Sequence, residues 1–500
     1  MSFDILLQSI EVLFKPLPLL YIFGGTVLGV VFGALPGVNA SMAIILCITF
    51  TYSMDPLIAI AFLCTVYCAS ITGGGITAIL FRIPGTPASA ATALDGYPIA
   101  ERGEPGKALG ISLFSSAVGG IISTICMYCL TVPLMKVALK FGSAEQFAMA
   151  FFGLSIMAFM ENGSEGKIKT FISGFIGLWI ATIGIDGLTS VSRFTLGTKF
   201  LINGVGTIPV MVGIFAVSQV IKEMTKKTDR SQYSDKKLTK LIGFREMWAM
   251  KWTLLRSSII GTLVGIVPGA GASIASFLGY TAEMKISKNK EQFGHGAPEG
   301  VCASETANNA ATGGAMVPLL SLGIPGGAAA AMIMTALSIH GVTMGPLLIQ
   351  KSPEYVSTVF LSMTIANIAM VFVAIFVAKG FARILRMPYS ILGVVIFLLS
   401  AIGSYASTKN LNEIYIMVVF GIFGYFFNKY KFNHAALVLG LVLGETCEKN
   451  LTRALKLAKN NVGAIVTRPI TAAFLLLILA MFLWPAVKKL IHHLRDRKAA

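Results

Sequence analysis

Long apolar runs dominate this chain, broken by short polar stretches and by glycine-proline punctuation. A spanning helix needs roughly 20 apolar residues, and the alternation of a strand is missing, so helices rather than a barrel are expected. Residues 2–15 predict a short interfacial helix. The run from Pro16 to Leu35 has only Lys15 as a basic flank and no small-residue cleavage site, so it reads as a retained helix, not a signal peptide. Met54-Asp55-Pro56 is a turn, residues 57–83 predict a helix, and Asp95 to Lys107 reads as a polar loop. Further helices are expected near 108–135, 145–161, 168–186 and 206–222, then near 354–378, 388–405, 411–428, 432–444 and 470–487. The count is roughly 11–13 membrane segments, the pattern of an all-α integral membrane protein.

The punctuation repeats. Gly29, Gly33, Pro36, Gly37, Ala40 and Ser41 become Gly261, Gly265, Pro268, Gly269, Ala272 and Ser273 when 232 is added to each position. Gly73, Ile83, Pro84, Gly85, Ala88 and Ala90 become Gly314, Ile324, Pro325, Gly326, Ala329 and Ala331 when 241 is added. Each half thus carries two Pro-Gly breaks in the same order. Proline removes a backbone donor and glycine accepts positive φ, so the pair ends a helix. At membrane depth such a break survives only where it is buried in protein or lines a polar cavity, and paired breaks in two halves point to a transporter's binding site. The alternative for any one break is a kinked packing helix.

Four segments follow: a first membrane repeat over 1–221, a linker over 222–256, a second repeat over 257–445, and a loop, extra helix and basic tail over 446–500. The linker holds ten Lys/Arg against four acidic residues, and the tail holds Lys488, Lys489, Arg495, Arg497 and Lys498, so both are placed in the cytoplasm. If each half crosses an odd number of times, the repeats are inverted. That places the basic stretch Glu445 to Arg468 outside, against the charge rule; inverted repeats remain the expectation.

Composition sharpens the class. Hydrophobic residues make up 55% of the chain and charged residues 13%, with a mean hydropathy of +0.77; a soluble domain carries roughly 25% charged residues. The net charge of +17 sits in loops and tail and does not argue for nucleic acid. Cys126 and Cys129 form a CxxC inside an apolar run, where packing is the expected role.

These stretches resemble the large membrane subunit of the tripartite tricarboxylate transporters. The resemblance lies in Gly33 to Ser41, Thr72 to Leu80, Pro84 to Pro98, Pro268 to Ser273, Phe293-Gly294 with Pro298-Glu299-Gly300-Val301, Glu305 to Ala315, and Leu322 to Gly326, and it extends over nearly the whole chain. It implies a secondary transporter of the bacterial inner membrane, working with a smaller membrane subunit and a periplasmic substrate-binding protein. It implies uptake of carboxylates such as citrate, driven by a gradient of sodium or protons, with no organic cofactor; a homodimer is left open. Where this chain has Arg82, Asn39 and Gly75, that family commonly has Asn, Gly and Ser, so the solute need not be a tricarboxylate.

A multiply charged anion at membrane depth needs many donors, which helix N-termini supply. Asn39, Ala40, Ser41, Thr86, Ala272, Ser273, Gly326 and Gly327 follow the breaks and are candidate substrate contacts. Their polar members have an alternative role as plain helix caps, worth about 1 kcal/mol each. Arg82 is the candidate for bidentate pairing with a carboxylate, or else a snorkelling arginine at a helix end. Sodium prefers carbonyl and amide oxygens, which backbone unwound at a glycine run would offer. Thr72, Gly73, Gly75, Asn308, Asn309 and Gly313 are therefore the candidate ion ligands. Glu305 carries a proton or braces the asparagines, or else is a loop-facing acid, and His340 reads as structural. A stand-alone symporter or an exporter on the same plan is the alternative function. No HExxH, GxSxG or Walker A sequence suggests an enzyme.

Overall fold

Proline and a short polar side chain ahead of an apolar run set where the long helices begin. In this computed structural model, which describes residues 3–160, 164–186, 190–198, 200–225, 240–342, 344–386 and 389–483, Asp55 accepts a hydrogen bond from the Leu57 amide at 2.9 Å. Pro56 then takes the first position of a 26-residue helix, where its missing N–H costs nothing. The order begins α1 (Phe3–Leu13), α2 (Pro16–Ala34), α3 (Ala40–Thr51) and α4 (Pro56–Phe81). A 3-10 turn, Pro87–Ser89, leads into α5 (Ala90–Glu101) and α6 (Pro105–Ala138). Next come α7 (Ser143–Met160), α8 (Ser164–Ala181) and a small antiparallel pair, β1 (Gly184–Ile185) with β2 (Ser192–Arg193). α9 (Thr207–Val212) runs through a π turn, Gly213–Val217, into α10 (Ser218–Met224).

The second half opens with α11 (Phe244–Ala249), α12 (Lys251–Ile266) and α13 (Gly271–Ile286). It continues with α14 (Pro298–Leu322), α15 (Ala328–Ile339), α16 (Leu348–Lys351), α17 (Pro353–Arg386), α18 (Tyr389–Thr408) and α19 (Asn412–Lys429). α20 (His434–Leu457), α21 (Val462–Val466) and α22 (Pro469–Leu483) end the described chain. Linker residues 226–239, the expected helix end at 484–487 and the basic tail lie outside the described residues.

The protein is an all-α membrane protein. Among the described residues six helices are long and apolar enough to cross a membrane: 16–34, 56–81, 105–138, 207–224, 353–381 and 390–408. α3, α15 and α22 are shorter apolar helices. One expectation is corrected. The segment Asp95 to Lys107 is not a polar loop, because α5 extends to Glu101 and Asp95 is fully buried. Its Oδ1 accepts from the amides of Gly296 and Ala297 at 2.8 and 2.9 Å, closing off the start of α14.

The chain gathers into two units, Met1–Leu139 with Gly206–Lys429 and Lys140–Val205 with Tyr430–Ala500. In the second unit α20 packs on α8 and α7. Gly440 lies against the Gly174 backbone and Gly177 against that of Leu437, so the two helix backbones meet directly. Its ion pairs among the described residues include Arg193 with Glu448 and Arg468 with Glu145.

In the first unit the duplicated sequence recurs as duplicated contact. A Cβ on Gly33 would overlap the Ser70 carbonyl of α4, and one on Gly265 the Ala311 carbonyl of α14. Gly73 lies in the same way against Val30, and Gly314 against Thr262. These partners are themselves offset by 241 and 232. α2 therefore packs on α4 as α12 packs on α14, backbone to backbone, which small residues permit in lipid.

Candidate transport site

Each break folds back onto its own half. After α2, Gly37 takes φ 91° and Val38 N donates to Leu35 O at 3.0 Å, a turn that only a residue free of Cβ adopts without strain. After α4 the chain reverses, and Gly85 N donates to Gly74 O at 3.2 Å. A Cβ on Gly85 would overlap the Gly33 carbonyl, so the two breaks of the first half touch. Thr77 Oγ1 reinforces this, donating to Ala34 O at 3.1 Å. In the second half Gly326 lies against the Gly265 carbonyl, and Gly269 N donates to Gly326 O at 2.9 Å. Backbone groups freed by the prolines thus find partners inside the protein, as burial away from water requires.

The residue just before each second break differs. α4 closes on Arg82 at φ 57°, while α14 closes on Gly323 at φ 73°. The left-handed cap is free for glycine and strained for arginine, by roughly 1–2 kcal/mol. Arg82 is exposed, its guanidinium 5.6 Å from the Tyr97 ring centroid.

Between the breaks α4 and α14 cross. Cys68 Sγ stands 4.0 Å from Thr312 Oγ1, Thr72 Oγ1 donates to Asn309 Oδ1 at 2.8 Å, and Gly75 lies against the Glu305 carboxyl. One set of numbers rises as the other falls, so the two helices run antiparallel at the crossing. Around it lies a buried polar network. Asn309 Nδ2 donates to Asn308 Oδ1 at 2.6 Å and to Ser116 Oγ of α6 at 2.8 Å. Ser116 Oγ donates to Glu305 Oε2 at 2.9 Å, and Thr92 Oγ1 of α5 donates to Glu305 Oε1 at 2.6 Å. Ser304 Oγ lies 3.0 Å from Thr92 Oγ1, and Asn308 Nδ2 reaches Ala88 O at 3.5 Å. Thr72, Thr92, Ser112, Ser116, Ser304, Glu305, Asn308 and Asn309 are all fully buried.

The structure brings Thr72, Asn308 and Asn309 together and sets Gly75 beside them. Gly73 and Gly313 instead face α2 and Ser123 of α6, where they allow close packing. The glycine run is not unwound: residues 72–75 and 308–313 are continuous helix, so their carbonyls serve the helical ladder. Glycine is needed there because Thr86, Ser89 and Glu305 press against Gly74 and Gly75. Asn39 caps α3, accepting from Met42 N at 2.9 Å. Ala40 and Ser41 lie buried in the first turn of α3, and Thr86 Oγ1 meets Ser89 Oγ at 3.1 Å. Ala272, Ser273 and Gly327 are half-buried at the starts of α13 and α15, and Gly326 is buried. His340 Nε2 lies 3.2 Å from Thr51 Oγ1, away from this network.

Thr92, Ser112 and Ser116 were not foreseen as site residues. Ser112 and Ser116 sit one turn apart in an apolar helix, a spacing that puts both hydroxyls on one face and was readable in the sequence. Thr92 carried no such signal.

Crossed, interrupted helices that bury a polar cluster inside an apolar bundle define a membrane transport protein. Residues 19–439 match the model of the Tripartite tricarboxylate transporter TctA family, and the chain belongs to that family. It is therefore a multi-pass component of a tricarboxylate-type transporter, in a family of transporters and not of enzymes, and works within a system that has partner subunits. Two uncharacterised proteins of Agrobacterium vitis are similar to it. The 52.8 kDa protein in the TAR-I ttuC' 3' region is 35% identical over 472 residues, covering 94% of this chain and 93% of that protein. The protein in the TAR-II ttuC' 3' region is 36% identical over 231 residues, covering 46% of this chain and 96% of that protein. No solved structure matches the chain.

Proposed function

We propose that this chain is the permease of a binding-protein-dependent importer that carries a carboxylate across the bacterial inner membrane together with a cation. A smaller membrane subunit and a periplasmic binding protein complete the system. The observation that carries this reading is the buried Glu305–Asn308–Asn309–Thr72 network, built by both halves where α4 and α14 cross. Polar groups this dense at membrane depth are costly and mark ion and solute pathways.

The solute carboxylates are met at the helix starts after the breaks, at Asn39 to Ser41 and Thr86 in the first half and at Ala272, Ser273, Gly326 and Gly327 in the second. Arg82 supplies a fixed positive charge beside them. The two halves are inverted repeats, a reading supported by the antiparallel crossing of the equivalent helices α4 and α14. Alternating access then moves the broken-helix core against the remaining helices. A stand-alone symporter or exporter would share the core and differ in needing no binding protein.

Uptake into proteoliposomes tests the proposal, with a panel of labelled di- and tricarboxylates, with and without the binding protein, under a sodium or a proton gradient. Accumulation of at least one carboxylate that needs both the binding protein and a cation gradient is expected. Uptake that proceeds undiminished without any cation gradient would overturn coupling. Arg82→Gln is expected to abolish uptake while the protein stays folded and assembled, and near-normal uptake would discard its role.

A further inference from the structure

We infer that the carboxyl of Glu305 is the group that holds the coupling cation; this rests on the transporter reading above and assigns the cation a residue. Glu305 lies about two turns into α14 and is fully buried. Hydroxyls reach its two oxygens from different elements: Thr92 of α5 on one, Ser116 of α6 on the other. Ser112 of α6 and Gly75 of α4 close the remaining sides, and any side chain at Gly75 would run into the carboxyl. The site is thus shared by three helices of the first half and one of the second.

Charge makes the assignment. Among the described residues, the hydrogen bonds that reach the carboxyl come from neutral groups. Several titratable side chains on the surrounding elements have other partners. Asp95 of α5 holds the amides of Gly296 and Ala297, and Lys107 of α6 pairs with Glu104 and Glu246. Cys68 of α4 faces Thr312, and Glu283 of α13 is held by Arg256 of α12. On α14 itself Glu299 and Cys302 lie toward the helix start, and α17 presents Met370 to Thr72. An anionic carboxylate here would be an uncompensated charge in an apolar bundle. One monovalent cation, a proton on the carboxyl or a sodium ion among its oxygens and the neighbouring hydroxyls, removes that imbalance. Backbone carbonyls are committed to the helices, so the side chains are the available ligands. Taking up or releasing the cation therefore changes how well α14 packs between α4, α5 and α6, which links its occupancy to helix movement.

Infrared difference spectroscopy on the reconstituted full chain, without solute, tests the assignment. One arm varies pH in sodium-free buffer; the other adds sodium at fixed pH. In the wild type a buried carboxyl is expected to respond: a carboxylic-acid C=O band that rises on acidification identifies a proton, and a carboxylate shift on adding sodium identifies sodium. Glu305→Gln is expected to abolish the response, and Glu305→Asp to keep it with the midpoint moved by about tenfold in cation concentration. Should Glu305→Gln fail to stay monodisperse, Glu305→Asp decides alone, and an unmoved midpoint overturns the inference. A response that survives in Glu305→Gln, or a wild type in which no buried carboxyl responds to either cation, overturns it too. A chain that binds the cation here yet takes up no carboxylate would sink the proposed function and leave this inference standing.

Discussion

The two halves of the first unit share a backbone plan and differ in what they hold. Around the first-half breaks stand Thr86, Ser89, Thr92, Glu305, Asn308 and Asn309. Shifting each by 241 along the repeat reaches Gly327, Ala330 and Ile333 in one direction and Cys64, Tyr67 and Cys68 in the other. The second set is apolar or weakly polar, and its cysteines and tyrosine are buried. Glycine contacts such as Gly33 on Ser70 and Gly265 on Ala311 stay in register, because any Cβ there would strike backbone. Side chains lining the crossing were free to diverge. The two halves keep matching close contacts between broken helices, and the polar chemistry gathers on one side of the crossing.

The difference can be broken or sharpened by four experiments. The largest effect is expected where the halves agree. Gly33→Val and Gly265→Val each put a branched side chain into a helix backbone and should each lower stability by at least ~3 kcal/mol. Loss of the monodisperse peak, or a large drop in melting temperature in detergent, would show it; tolerance in one half alone would break the equivalence.

Where the halves differ, activity should separate them. Glu305→Gln is expected to cut gradient-driven uptake at least ~tenfold, about 1.4 kcal/mol of barrier, whereas Cys64→Ala at the equivalent position should stay within ~threefold. Equal losses in both would mean that the Cys64 side of the crossing also carries solute or ion.

The third contrast concerns the left-handed caps. Gly323→Ala should lower stability by about 1 kcal/mol, and Arg82→Gly should raise it by a similar amount. Thermal melts of the two variants provide the measurement, and opposite signs are the expected outcome. If Arg82→Gly gains stability and loses uptake, the strain at Arg82 is retained for function. The smallest effect is that of Thr72→Val, which removes the donor to Asn309. It should cost ~0.6 kcal/mol, the average for hydrogen bonds between membrane helices.

Much of this was legible from residue order. The breaks at Pro36, Pro84, Pro268 and Pro325, the helix starts at Asp55-Pro56 and the pairing of the halves follow from local backbone chemistry, which a sequence states directly. Asn308-Asn309 stood out because amides are rare in apolar helices. The conformation at Thr72 to Gly75 was misread as unwound, since a glycine run looks the same whether it loosens a helix or makes room for a neighbour. Asp95 was misread as a loop residue, since its partners at Gly296 and Ala297 are 201 and 202 positions away.

Residue order by itself therefore determined that the chain is a helical membrane protein, where its helices stop, and that its Pro-Gly breaks recur in the same order in both halves. These properties depend on hydrophobic run length and on what proline and glycine permit within a few residues. Only the tertiary structure decided which polar groups meet. Thr92, Ser116, Glu305 and Asn309 come from three helices, and their hydrogen bonds form only once close backbone packing has brought α4, α5, α6 and α14 around one buried point.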